Sequence, residues 1–362
     1  MNYIEFPNLF GGARLEISRT AFNVFGINIY WYSIIVVVGI ILAVGYAMQQ
    51  SDKYGMIADK VFDAAFAGLI GGSLGARLYY VILADKSYNF ITFFSDIRDG
   101  GLAIYGGVIG GVLVSFVFMK LRKINILPVL DLAGQGFLLG IGIGRWGNFI
   151  NQEAYGTAVG SDYIFGMTGD RIVREAGQSL VHPCFLYESL WCILGFILLH
   201  FYAKKLRTFD GEIFLLFAFW YGAGRAFNEQ LRTDSLMLGD FKISQVLAVI
   251  TATLALGAYI FLKVKVKKSE NYKMFKDTEQ SVNLAAAFNE KLRLDKEKAE
   301  AKKALRKNET APSILGDDSD DDNVGDAPLR VPQDEPEPYE DENIAIGSDI
   351  PSEEENNNDE NS

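Results

Sequence analysis

Seven apolar runs, all before residue 265, constrain this chain more than any other feature: 29–48, 61–84, 102–121, 127–143, 184–202, 213–227 and 243–264. A helix needs about 20 mainly apolar residues to cross the hydrocarbon core. Lipid offers no partner to backbone polar groups, so a span must be a helix or part of a closed barrel. The runs therefore predict an all-α integral membrane protein with seven transmembrane helices. The run 213–227 is short and polar for a span. Before the first run lie 28 mixed residues, including Phe6, Phe10, Phe22 and Phe25, which suit an amphipathic segment in the membrane interface. The start of the chain lacks a basic, apolar, small-residue leader pattern, so the first run is expected to act as an uncleaved targeting signal.

Charge divides the chain further. The formal charge is −11, yet residues 309–362 carry 19 acids against the single Arg330, a net −18 that leaves +7 for residues 1–308. Lys120, Arg122 and Lys123 follow the third run, Lys204, Lys205 and Arg207 the fifth, and Lys263, Lys265, Lys267 and Lys268 the seventh. The positive-inside rule makes those ends cytoplasmic. The N-terminus and the connection 148–183 then face outward, and the C-terminus lies in the cytoplasm. Lys86, Arg98, Arg171, Arg174 and Arg232 fall on the outer side, so the bias is moderate. Three parts follow: a seven-helix membrane domain (1–268), a charged helical extension (269–308) and a disordered acidic tail (309–362).

Several chemistries are excluded early. Cys184 and Cys192 lie eight residues apart on one apolar run, about 12 Å on a helix and out of disulfide reach. Two cysteines and two histidines, His182 and His200, make neither a disulfide framework nor a protein-built zinc site. No phosphate-binding Gly-Lys-Ser/Thr loop or dinucleotide fingerprint is present. No cofactor, no metal and no nucleic-acid partner are expected.

The densest polar string closes the fourth run: Gly144-Arg145-Trp146-Gly147-Asn148-Phe149-Ile150-Asn151-Gln152-Glu153-Ala154-Tyr155-Gly156. An arginine this close to lipid is costly unless an anion joins it, and a phosphate matches the planar guanidinium. A helix-ending loop whose polar groups cap one another is the plainer reading. In the sixth run Tyr221, Arg225 and Glu229 recur at i, i+4 and i+8, on one helical face. Arg77 is open to ion pairing or ligand contact, and Tyr32 to an interfacial belt role. Pro183 suits the first turn of the fifth helix, which makes His182 a helix-start hydrogen-bonding residue. Glycines at spacing four, such as Gly71 and Gly75 or Gly106 and Gly110, predict close helix packing. From the residues alone the reading stops at a membrane-embedded site for an anionic headgroup. A transporter and a non-catalytic lipid-binding scaffold stay open, although no inverted hydropathy repeat favours the first.

The string from Gly144 to Gly156 resembles the signature of bacterial prolipoprotein diacylglyceryl transferases. Tyr30-Trp31-Tyr32, Gly75-Ala76-Arg77-Leu78-Tyr79-Tyr80, the 100–107 segment, His182-Pro183 with Leu186-Tyr187-Glu188, and Tyr221 with Arg225 and Glu229 agree in the same order. The resemblance covers about residues 20–265. It implies transfer of the diacylglyceryl group of phosphatidylglycerol to the lipobox cysteine of a prolipoprotein signal peptide, with release of glycerol phosphate, at the bacterial cytoplasmic membrane. Arg145 and Arg225 would clamp the phosphate, with Asn148 and Asn151 holding the headgroup or orienting Arg145. Glu153 and Glu229 would position the arginines or receive the thiol proton. Tyr32 and Tyr221 would complete the polar wall, and Gly156 would let the loop return. Many members carry histidine where this chain has Tyr105. A phenol with pKa near 10 is a poor base, so Tyr105 is expected to donate a hydrogen bond, and Glu153 and His182 become the candidate bases. Tyr30 and Ser33 replace the usual arginine and glycine.

Overall fold

Each apolar run folds as a helix in the computed structural model, which describes residues 2–9, 11–83, 101, 103–177, 180–233, 235 and 237–309. The long helices are α1 (Trp31–Gln50), α2 (Ala58–Leu83), α3 (Ile104–Leu121), α4 (Ile126–Asn151), α6 (Cys184–Lys205), α7 (Glu212–Leu231) and α8 (Ile243–Lys268). A short α5 (Asp170–Ala176) precedes α6, and α9 (Glu279–Glu309) follows α8. Six of these helices are long and apolar enough to cross a membrane, as expected of an integral membrane protein. The sixth run forms α7 with 20 residues. It falls outside that set because Arg225, Asn228, Glu229 and Gln230 depress its hydropathy.

Helix α4 is the organising element. It packs against α1, α6 and α7, and half of its apolar window is buried. The glycines act as expected. A Cβ on Gly75 would strike the Gly106 carbonyl, one on Gly110 the Gly71 carbonyl, and one on Gly39 would come within 3.1 Å of the Gly140 carbonyl. Backbone-to-backbone approach of this kind joins α2 to α3 and α1 to α4. The outward faces are apolar, as Val108, Ile109, Val112 and Leu113 on α3 illustrate.

The structure corrects the all-α expectation at the N-terminus. Strand β1 (Asn2–Glu5) pairs antiparallel with β2 (Arg14–Ile17). It also pairs with β5 (Thr168–Gly169). Strands β3 (Thr20–Val24) and β4 (Ile27–Tyr30) form a second hairpin, and β6 (Met237–Leu238) pairs with β7 (Phe241–Lys242). The amphipathic pattern is real but has period two. Phe22 faces Ile29 and Val24 faces Ile27 on one side, while Asn23 faces Asn28 on the other. Gly26 turns the hairpin at φ 81°, and β-branched residues favour the strands over an interfacial helix.

Residues 1–303 form one compact unit. After α8 the chain folds back onto the α1–α2 turn. Phe275 is buried beside Tyr54, Met56, Val61 and Met119. Its N–H donates to Asp210 Oδ2 at 2.7 Å, and Ser281 Oγ donates to the Gly55 carbonyl at 2.9 Å. Of the second unit, 304–362, only the end of α9 is described; the acidic tail from 310 lies outside the described residues.

Candidate active site

The polar string is helical for longer than its glycines suggest. Helix α4 runs to Asn151, eight residues beyond the predicted end at Ile143, so Arg145, Asn148 and Asn151 stand on a helix and not in a loop. The reason is local: Arg145 Nη1 donates to Asn148 Oδ1 at 3.3 Å, an i,i+3 contact that rewards the helical state. The helix stops at Gln152, which takes a left-handed φ of 52°. The Gln152 side chain is fully buried. Its Nε2 donates to the Tyr3 carbonyl at 3.0 Å and its Oε1 accepts from the Arg171 N–H at 2.8 Å, tying the helix end to β1 and α5.

Three helices deliver the central cluster. Glu188 of α6 lies between two arginines. Its Oε1 accepts from Arg145 Nη2 at 2.7 Å, and Arg225 Nη1 of α7 reaches both carboxylate oxygens at 3.3 and 3.4 Å. Asn228 Nδ2 donates to Glu188 Oε2 at 3.1 Å. The expected face of α7 is present: Arg225 Nη2 meets Glu229 Oε2 at 2.7 Å, and Tyr221 lies beside Arg145 and Glu188. That 2.7 Å approach is an ion pair without an aligned N–H, so Glu229 Oε2 is left without a hydrogen bond. Arg145 Nε and Asn228 Oδ1 are likewise buried without a partner among the described residues.

A second layer leads out of the cluster. Asn148 Nδ2 and Asn151 Nδ2 both donate to Glu153 Oε1, at 2.9 and 3.2 Å. Glu153 Oε2 faces Arg171 Nη1 at 3.6 Å, and the same nitrogen donates to the Asn151 carbonyl at 3.1 Å. These groups open into a cleft of about 300 Å³ lined by Arg19, Tyr30, Tyr32, Ser33, Asn151, Glu153 and Arg171. Tyr32 packs so closely on α4 that a Cβ on Gly147 would come within 2.6 Å of its ring. Gly156 bridges Arg232, and a Cβ there would lie 2.8 Å from Cys184 Sγ and from His182 Cβ.

The remaining sequence candidates sit apart. His182 Nδ1 is 3.1 Å from the Tyr187 hydroxyl, and its ring packs edge-on to Tyr163. Burial lowers its pKa from the usual 6.5. The Tyr187 contact fits the helix-start hydrogen-bonding role, and the lowered pKa keeps the ring neutral. Tyr105 is on the first turn of α3 and 40% exposed, and among the described residues no hydrogen bond joins it to the cluster. Arg77 is buried, with Nη1 donating to the Gly101 carbonyl at 3.1 Å. The structure adds Glu188 and Asn228, which sequence reasoning did not assign. Glu188 had a signal: it is the one acid in the run 184–202, and two intramembrane arginines require a counter-charge.

The description "Prolipoprotein diacylglyceryl transferase" matches residues 19–261. The chain belongs to that family. The match takes in every helix of the cluster and ends before α9. Similar proteins carrying the name phosphatidylglycerol–prolipoprotein diacylglyceryl transferase include those of Enterococcus faecalis, Clostridium novyi and Streptococcus pneumoniae. The Enterococcus faecalis protein is 38% identical over 279 residues, 75% of this chain and 99% of its own length. That of Clostridium novyi is 39% identical over 259 residues, 70% of this chain and 98% of its own. That of Streptococcus pneumoniae is 41% identical over 248 residues, 67% of this chain and 93% of its own.

Proposed function

We infer that this bacterial membrane transferase moves the diacylglyceryl group of phosphatidylglycerol to a prolipoprotein cysteine, the first step of lipoprotein maturation, with Arg145 and Arg225 as the phosphate clamp. One observation carries the site assignment: arginines from two helices converge on one buried carboxylate, and Arg145 Nε still has no acceptor among the described residues. With Glu188 and Glu229 the cluster is formally neutral at rest. A phosphodiester arriving beside it finds guanidinium donors already oriented and stripped of water, the condition under which fixed charge contributes most.

In the reaction the lipobox cysteine loses its proton, because the thiolate is the nucleophile. The sulfur attacks the diacylglyceryl carbon bonded to the phosphate oxygen. A C–S bond forms, the C–O bond breaks, and the electron pair leaves with the oxygen as glycerol phosphate. The arginines hold the charge that accumulates on that oxygen. Glu153 reaches the cleft and is the candidate to receive the thiol proton. Asn148 and Asn151 fix its carboxylate and orient Arg145, while Glu229 holds Arg225. Tyr32 and Tyr221 form walls, Gly156 keeps the return loop close, and Tyr105 donates a hydrogen bond from the edge. No cofactor enters this scheme. Seven spans, with the N-terminus outside, the active site toward the outer leaflet and the extension and acidic tail in the cytoplasm, complete the proposal.

The test uses purified protein in phosphatidylglycerol vesicles with a lipobox cysteine peptide. Glycerol phosphate release that depends on the cysteine, with a diacylglyceryl mass gain on the peptide, is the expected result. Lipid binding without either product would replace the transferase by a lipid-binding scaffold.

A further inference from the structure

The cleft beside the cluster contains cations that the phosphate clamp does not use. Arg171 enters from α5, held by Glu175 through Nε at 2.6 Å and by the Asn151 carbonyl through Nη1. Arg19 enters from the turn before β3, and its Nε is buried without a partner among the described residues. A buried guanidinium N–H left unmatched is costly, so it indicates a missing acceptor. The rest of the lining is uncharged or acidic: the hydroxyls of Tyr30, Tyr32 and Ser33, the Asn151 side chain and the Glu153 carboxylate.

That mixture has a chemical meaning. Two arginines suit a phosphate, which accepts only, whereas a carboxylate would repel it. Glu153 becomes favourable when the same ligand also carries hydroxyls that can donate. A polyol phosphate has both ends; inorganic phosphate and a choline headgroup each lack one. The volume, about 300 Å³, is at the lower limit of small-molecule pockets and suits a ligand of a few heavy atoms. The cleft also connects with the reaction centre through Arg171, Glu153, Asn148 and Arg145.

We propose that the cleft lined by Arg19, Arg171 and Glu153 is a glycerol phosphate subsite, in which the arginines take the phosphate and Glu153, Asn151 and Ser33 take the glycerol hydroxyls. Its place in the reaction rests on the transferase reading, because glycerol phosphate is both the lipid's headgroup and the released product.

Two experiments test it. In the first, the full chain in phosphatidylcholine nanodiscs, without phosphatidylglycerol or peptide, is titrated calorimetrically with sn-glycerol 1-phosphate and with inorganic phosphate. Glycerol phosphate is expected to bind about tenfold more tightly than phosphate. Arg19→Gln weakens that binding about tenfold and Arg19→Lys restores most of it, as loss of one charged hydrogen bond requires. Equal binding of both anions, no saturable binding, or an Arg19→Gln variant with unaltered binding and melting temperature overturns the proposal. The second experiment identifies the source during turnover. If Arg19→Gln raises only the inhibition constant of glycerol phosphate, the subsite holds released product. If it raises the KM for phosphatidylglycerol in parallel, the subsite holds the headgroup of the entering lipid. If neither constant moves, the subsite takes no part and the proposal fails. Wild-type protein that binds glycerol phosphate but transfers nothing would instead remove the transferase reading and leave the subsite standing.

Discussion

Helices α4 and α7 carry a polar cluster at each end, and the two are built on different terms. Asp131 and Arg145 are about 21 Å apart along α4. At the Asp131 end the carboxylates have many donors. Asp131 accepts from the Gly211 and Phe214 N–H groups at 2.9 and 3.0 Å, capping the start of α7. Glu212, fully buried, accepts from Lys263, the Tyr202 and Thr208 hydroxyls and the Phe209 N–H. The one orphan there, Arg207 Nε, belongs to a guanidinium lying 3.9 Å over the Tyr54 ring. At the Glu188 end three buried atoms have no hydrogen-bond partner among the described residues: Arg145 Nε, Asn228 Oδ1 and Glu229 Oε2. Both ends bury charge, but among the described residues the Glu188 end leaves three atoms with hydrogen-bonding capacity unused against one at the Asp131 end. A satisfied network holds helices together, whereas an unsatisfied one is prepared for something else.

The largest effect that could break this contrast is Arg145→Ala. Turnover per inserted, folded molecule in the vesicle assay should fall about a thousandfold, beyond any loss of stability from removing the Glu188 partner. Undiminished turnover would end the phosphate-clamp assignment. At the other end Glu212→Ala strands Lys263 and several donors, and should cost about 3–5 kcal/mol of stability. Abundance falls, but specific activity per folded molecule is retained. An unchanged melting temperature there would dissolve the distinction between the two clusters. Phe275→Ala, which opens a void under the α1–α2 turn, should cost about 3 kcal/mol with the chemistry intact. Loss of activity in fully folded protein would show that the C-terminal clip acts on the site.

Smaller effects sharpen the contrast. Because burial lowers the His182 pKa below 6.5, folding favours the neutral ring. Its contribution to stability is complete above the unfolded value and disappears as pH falls through the lower folded one. Between pH 7.5 and 5 the wild type should therefore lose more melting temperature than His182→Asn, and parallel curves would remove His182 from the acid response. Tyr105→Phe is expected to lower turnover less than about tenfold, and full activity would take its hydroxyl out of the mechanism.

What the sequence disclosed follows from what each signal depends on. Spans are legible because a run such as 243–264 must satisfy lipid residue by residue, and the helix bounds agree with the runs to within a few positions at most ends. The i,i+4 spacing of Arg225 and Glu229 is likewise a local property, and their ion pair forms. The role of Glu188 is not legible in its own segment, because its partners come from two other helices and only packing brings them together. The N-terminal strands rest on a period-two pattern across a short turn, where aromatic content alone suggests only an amphipathic segment in the membrane interface. The polar string from Gly144 onward leaves the apolar pattern, so the sequence ends α4 at Ile143, although in the bundle Gly147 is the space that Tyr32 fills.

The bond from Ser281 to Gly55 spans 226 residues. During synthesis the turn between the first two helices is made early, but its covering residue emerges only after every span has been translated. Until then Tyr54 and Met56 lack the Phe275 ring that buries them. A chain truncated before that point would retain every residue of the Glu188 cluster while exposing an apolar seam at its first turn. The first turn of the bundle is therefore completed by one of the last segments to be made.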